Sequence, residues 1–443
     1  MILRLVFFLT VSSACFAQTD KTSPPVQSSD DFAAVVAEAK QGNVDAQLKL
    51  ADGYLRGKGV EESDAEGFRW FLTAAEQGNA DGQFNVASLY AIGKGVDRDD
   101  AEAAKWFLKS AENGNALAQY NMGVRFAHGR GVTRDYQQAA SWFRKSADQG
   151  LALGEDGLAT GYANGLGVPK DDTEALKLYT KAAQQGLAVA QLQVGLFLYS
   201  GRATAGDFGE ARRWFEKAAA QKNAEAENNL GVMYEKGQGV TVDLSKAAEY
   251  YDLAVQHGST NALVRLGALY KAGTGVPRDQ QKFLQLYEMA GQKGVFEAQR
   301  YLAQAYLAGN GVEKNEARGA GWMQLAAAHG DAESECNLAI MYFAGKGLPQ
   351  SYEKALTWFE NSAEQNYAKA QFNLGSMYAN AQGTPKDLRK AYTWLLLAQR
   401  AGFQDDQGAL QLLTYQMTKD QIAEAERDAD VWASAHPRPA AVK

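Results

Sequence analysis

One period governs this chain. The stretch Asn79–Gly114 (NADGQFNVASLYAIGKGVDRDDAEAAKWFLKSAENG) comes back every 36 residues, edited but never shortened. Counted from Asp99, successive steps of 36 fall on Ser63, Asp99, Asp135, Asp171, Asp207, Asp243, Asp279, Asn315, Ser351 and Asp387. Each carries a short side-chain oxygen able to accept an orphan N–H at a helix start, so the column predicts ten capped helices in strict register. A chain of 443 residues would otherwise suggest two or three globular domains, but a fixed period of this size points to one array of repeats.

Each repeat divides into two helical patterns. In the first, Ala46, Gln47, Leu50, Ala51 and Tyr54 fall on one face of a 3.6-residue period. The aromatic column reads Tyr54, Tyr90, Phe126, Tyr162, Leu198, Tyr234, Tyr270, Tyr306, Tyr342 and Tyr378. Three residues before each stands Ala or Gly, from Ala51 to Gly375. Glycine inside a helix costs roughly 0.5–1 kcal/mol relative to alanine. Its recurrence in one column predicts a neighbour too close for anything larger. The first pattern stops at a pair such as Gly57-Lys58-Gly59, whose first glycine suits the left-handed turn at a helix C-terminus. The second pattern carries an aromatic pair and then alanine, as in Trp70-Phe71 with Ala74-Ala75, and ends at a glycine such as Gly78. One repeat cannot bury these aromatics alone, so repeats must stack.

The fold expected is therefore all-α, an α/α solenoid of antiparallel helix pairs. Ten repeats occupy 43–78, 79–114, 115–150, 151–186, 187–222, 223–258, 259–294, 295–330, 331–366 and 367–402. A lone capping helix over 31–42 precedes them, and capping helices over 403–435 follow, the last opened by a Thr418/Gln421 capping box. Repeats five and ten are softer, because Ala203 and Ala381 stand where the other loops have glycine.

Residues 1–17 read as a secretory signal peptide: a positive start at Arg4, an apolar run over Leu5–Val11, then small residues to Ala17. That run is too short to span a membrane, and no other segment is apolar for long enough, so no membrane insertion is expected. A polar linker over 18–30 follows, and 436–443 forms a tail. The expected location is the periplasm, with secretion as one alternative and an outer-membrane lipoprotein modified at Cys15 as another. Once the leader is removed only Cys336 remains, in a column otherwise holding residues such as Leu48, Phe84 and Val264, which suits a buried hydrophobe. A net charge of −7 without basic blocks excludes a general nucleic-acid footprint and a polybasic membrane anchor.

Candidate chemistry is thin. The G-x-G-V-x-x-D loops follow a helix where a dinucleotide site needs a strand, and one capping Asp per repeat is too few oxygen ligands for calcium, even at Asp97, Asp99 and Asp100. His128, His257, His329 and His436 include no metal pair, and His257 and His329 fall at helix C-termini, where a cation suits the dipole. Ser351 and Lys354 mimic an acyl-transfer S-x-x-K, but Ser351 already belongs to the capping column. No carboxylate is placed where burial would raise its pKa, and no catalytic residue, cofactor or metal is expected. Binding residues are sought where a column changes character. The position six before the aromatic column turns polar at Asp156, Asn228 and Arg300, and the position two after it includes Arg56, His128 and Lys236. Residues this variable are not needed for stacking and are expected to face solvent or a partner.

The pattern A-Q-x-N-L-G-x-x-Y-x-x-G-x-G-V-x-x-D-x-x-x-A-x-x-W-F-x-x-A-A-x-x-G resembles the Sel1-like repeat family. Ala370–Tyr378 (AQFNLGSMY) and Ala226–Tyr234 (AENNLGVMY) lie close to its consensus, and the resemblance covers about residues 31–435. It implies a tetratricopeptide-like right-handed superhelix whose first helices line a concave face. It also implies a non-enzymatic adaptor that binds a protein or extended peptide there, in envelope signalling or assembly. A secreted factor that engages host receptors or immune proteins is the alternative, and a cell-wall hydrolase a remote one. One cysteine-rich branch of the family has a disulfide in each repeat, and this sequence lacks those cysteines.

Overall fold

The computed structural model describes residues 29–405 and 408–437. The expected signal peptide and the end of the tail lie outside the described residues, as does nearly all of the linker. Among the described residues the regular structure is entirely helical, in 23 helices. A leading helix, Ser29–Lys40, is followed by ten pairs, from Val44–Arg56 with Asp64–Glu76 to Ala368–Ala379 with Leu388–Arg400. A short helix, Ala409–Thr414, and a longer one, Lys419–Ala435, close the chain. The chain divides at Lys217/Ala218 into two compact units, and within each unit consecutive helices pack on one another.

The capping column does what its chemistry requires. Ser63, Asp99, Asp135, Asp171 and Asp207 each accept an N–H from the first turn of the second helix, and so do Asp243, Asp279, Asn315, Ser351 and Asp387. The Thr418/Gln421 capping box forms in both directions. Half the first helices carry a cap of their own that no strict column betrays: Asn43, Asn79, Asn115, Asn223 and Asp331 cap theirs, while Leu151, Leu187, Val295 and Tyr367 cannot.

Two close approaches explain the glycines. A Cβ on Gly123 would stand 2.5 Å from the ring of Phe143, on the second helix of the same repeat. Where alanine takes that column, as at Ala51 and Ala339, it is fully buried. In the loop, Gly131 has φ 68° and a Cβ there would lie 1.8 Å from the carbonyl oxygen of Asp100, in the preceding repeat. The second loop glycine is thus a stacking residue as well as a turn residue. Ala203 (φ 71°) and Ala381 (φ 56°) adopt the left-handed backbone regardless, and the helices that follow start on schedule.

A ladder of buried amides joins the helices. Gln47, Gln83, Gln119, Gln191, Gln299 and Gln371 each donate to a carbonyl eight residues back, at the C-terminal end of the preceding helix. In three of them the oxygen accepts in turn from the residue 30 positions ahead: Gln77 to Gln47, Asn113 to Gln83, Gln149 to Gln119. Each amide therefore gives a second partner to a helix-end carbonyl that otherwise accepts only from the turn that follows. In three repeats the rung is a carboxylate, with Gln185 on Glu155, His257 on Glu227 and Gln365 on Glu335. His257, at the C-cap of its helix as expected, also bonds the buried Glu227.

Candidate functional site

Of the six candidate binding residues, Arg56, His128 and Asp156 lie in the first compact unit, and Asn228, Lys236 and Arg300 in the second. Arg56 ends its helix in an ion pair with Asp52 at 2.6 Å. Lys236 is exposed at the last turn of its helix. Arg300 is half-buried, over the ring of Phe296 and 3.2 Å from Glu333 of the next repeat. Asn228 differs from the expectation of an outward residue: it is buried and its amide oxygen has no hydrogen-bond partner. Its column faces the second helix of its own repeat, where Phe84 meets Phe107 and Tyr120 meets Phe143.

Asp156 sits in that same column, on the helix Ala152–Asn164, and burial pushes its carboxyl up to about 7. Burial also raises Glu155, against Lys181 and Gln185, and raises Glu335. These three correct the expectation that no carboxylate is placed for burial to shift it. The periodic pattern concealed them because Glu155 and Glu335 occupy a polar column and Asp156 an apolar one that tolerates exceptions. The Cys336 thiol is buried and pushed up to about 12, as an inert core residue should be.

His128 lines a cleft of about 210 Å³ between repeats three and four. It closes the helix Ala116–His128, while Tyr136, Ala139, Ala140 and Phe143 come from the helix Tyr136–Asp148. Gly157, Thr160 and Gly161 line the opposite side, from the same helix as Asp156, and Arg134 and Leu166 come from loops. The wall is largely apolar and aromatic. Arg134 and Tyr136 are exposed, with the guanidinium 5.8 Å over the ring. Thr160 shares a 2.9 Å hydrogen bond with Tyr179, and burial together with Arg130 holds the His128 imidazole below its usual range.

Sequence reasoning missed Arg134, Tyr136, Phe143 and Thr160 as a group, although the signal for the cleft was present. Gly157 stands in a column that elsewhere holds longer side chains such as Asn85, Asn121 and Asn229, and Gly161 in one that, apart from Gly53 and Ala305, holds large ones such as Leu89, Arg125, Phe197 and Met233. The bare Gly161 leaves a hole, while at Gly157 the ring of Phe143 takes the space, 2.7 Å from where a Cβ would stand. Chemically the cleft can bind an apolar group with a polar end at its rim. Among the described residues no group of three or more His, Cys, Asp or Glu is placed to hold a metal, and no helix is long and apolar enough to cross a membrane.

The Sel1 repeat model matches ten times, over 44–79, 80–115, 116–151, 154–187, 188–223, 224–259, 260–295, 296–331, 332–367 and 368–403. Among solved structures, a protective antigen present in uropathogenic Escherichia coli strains and displaying an SLR fold is 28% identical, with 94% of this chain and 91% of that chain covered and a TM-score of 0.60. A Sel1 repeat protein from Oxalobacter formigenes is 29% identical over 57% of this chain and all (100%) of that one, with a TM-score of 0.52. No curated protein matches the chain.

Proposed function

Since this chain belongs to the Sel1 repeat family, we propose that it is an exported, non-enzymatic adaptor that holds a protein or extended peptide along the face formed by its first helices. A repeat solenoid of this type is generally a protein–protein interaction scaffold, and the finer reading rests on one contrast. The contacts that build the array recur from repeat to repeat, whereas one outward column changes from Arg56 to His128 to Lys236. A surface whose frame repeats and whose display does not is suited to reading an extended partner residue by residue. The leader-like residues 1–17 support export, to the periplasm in the first instance.

A second reading, a secreted factor that binds host proteins, is favoured by one observation: the E. coli structure to which this chain is similar is a protective antigen. Fractionation of cells and medium separates the two. The adaptor reading is tested by affinity capture from envelope extracts with the full chain, using the exposed substitutions Arg56→Glu and Lys236→Glu. Capture of a partner that both substitutions weaken supports the reading. A partner retained undiminished by both moves binding away from this face, and turnover of cell-wall material by the purified chain overturns the non-enzymatic assignment.

A further inference from the structure

The cleft between repeats three and four has two occupied counterparts in this chain. One period earlier, Arg125 fills the corresponding space and is only 6% exposed. Its guanidinium lies 5.0 Å over the ring of Phe107 and donates to the carbonyls of Asp100 (3.0 Å) and Arg130 (3.1 Å). The Asp100 carboxylate is 3.5 Å away and also pairs with Arg98 at 2.9 Å. One period later Phe197, in the same column, takes the space with its ring 5.7 Å from that of Tyr179; Arg202 lies 4.6 Å over Phe197, donates to the carbonyl of Ala163 and pairs with Asp172 at 2.6 Å. Lys170 stands 3.9 Å from the same Asp172.

Between repeats three and four every one of these groups has changed together. Gly161 replaces Arg125, Leu166 replaces Arg130 and Arg202, and Tyr136 replaces Asp100 and Asp172. The ring remains, as Phe143, and so does the cation, as Arg134 in the column of Arg98 and Lys170. The Leu166 carbonyl still faces inward, 3.2 Å from where a Gly161 Cβ would stand. No acidic side chain pairs with Arg134 among the described residues. The chain has thus removed the planar body from the slot, and the carboxylate beside it, while keeping the walls and the cation that used them.

We propose that this cleft is a subsite for the C-terminal residue of a bound peptide, with its large apolar side chain against Phe143 and its α-carboxylate on Arg134. This deepens the adaptor reading and rests on it. Volume agrees: an apolar cavity of about 150 Å³ takes benzene, and this one is about 210 Å³ with a polar rim. Charge agrees, because a ligand carboxylate at the cleft rim would give Arg134 the acidic partner that Arg98 has in Asp100 and Lys170 in Asp172. Spacing selects the terminus over an internal acidic residue. In the occupied counterpart the carboxylate is 3.5 Å from the group in the slot. A C-terminal residue carries both on one Cα, whereas successive side chains of an extended peptide point to opposite sides.

The test is calorimetric titration of the full chain with four hexapeptides: one ending in phenylalanine with a free carboxylate, its C-terminal amide, an amidated peptide with an internal Phe-Glu, and one ending in arginine amide. The free-carboxylate peptide is expected to bind, and amidation or Arg134→Ala to weaken it at least tenfold, with Arg134→Lys restoring part of the loss. Gly161→Leu should abolish binding while raising the Tm, since Leu89 and Leu269 already fill this column in other repeats. The proposal falls if the free-carboxylate peptide does not bind at millimolar concentration, if the amide or the internal Phe-Glu binds as well, if the arginine peptide binds best, or if Gly161→Leu leaves binding unchanged. The adaptor reading fails separately: a partner captured by the chain and indifferent to Gly161→Leu sinks only this subsite, and the absence of any captured partner sinks the wider reading.

Discussion

A residue can hold a conformation its chemistry disfavours when the surrounding register leaves no other. Ala381 is such a residue: it adopts φ 56° where nine other repeats place a glycine between Gly57 at 63° and Gly309 at 76°. Left-handed backbone costs a non-glycine residue roughly 1–2 kcal/mol, so Ala381→Gly is expected to raise stability by about 1 kcal/mol, after the greater entropy of the unfolded glycine chain is deducted. Urea unfolding with an unchanged m-value checks it. Asp156 offers a second residue-scale test. Its carboxyl lies at about 7 in the fold, above the ordinary 3.8, so the native state holds its proton more tightly than the unfolded chain. The resulting stabilisation is complete below pH about 4 and is lost as pH climbs through 7. Asp156→Asn should therefore match the parent below pH about 4 and exceed it by at least about 1–2 kcal/mol at pH 8. Equal differences at both pH values would mean that the carboxyl is solvated. The period marks both residues, Ala381 as a missing loop glycine and Asp156 as a polar break in an apolar column, but the cost of Asp156 depends on the apolar surroundings that only packing creates.

At the scale of the helix, what was legible was whatever a single column determines. The capping oxygens, the glycine stops and the small column against the second-helix rings all depend on one residue type at one place, and all are where the period put them. The amide ladder was not legible, because Gln47 and Gln77 lie 30 positions apart on different helices and either alone reads as a surface glutamine. The cleft was hidden for the same reason. Gly157, Gly161, Tyr136 and Leu166 are unremarkable singly, and only the stacking of two repeats makes their joint change a hole. The ladder yields its own test. The buried Gln371 has an oxygen without a partner, and the residue 30 ahead is Ala401, where other repeats supply Gln77 or Gln149. Ala401→Gln should complete the rung and add about 1 kcal/mol, read as a rise in Tm. Unchanged stability would show that water already satisfies that oxygen.

For the molecule as a whole, stability comes from neighbours, so the ends matter most. Within the second compact unit the closing helix Lys419–Ala435 covers repeat ten. Trp432 meets Trp394 edge to face at 5.3 Å, Ala425 and Ala429 are fully buried, and Arg389 binds Asp428 and Glu424. The outer ion pairs are exposed and contribute little; the covered apolar surface is what counts. Truncation before Lys419 is therefore expected to cost on the order of 3 kcal/mol and to promote association through the uncovered face. Denaturation and sedimentation of the shortened chain measure both, and an unchanged midpoint with a monomeric product would refute the capping role.

The offsets of the stacking contacts carry a further consequence. A rung spans 30 positions, and a loop glycine meets a carbonyl a similar distance back, so every rule that joins one repeat to the next is expressed within a single period. An in-frame gain or loss of any 36-residue window, wherever it begins, re-forms the same rungs and the same glycine seats at the new junction. Lineages carrying this architecture can accordingly change length by recombination in whole copies without inventing a new contact, while an insertion of any other size inside a helix pair breaks two junctions at once.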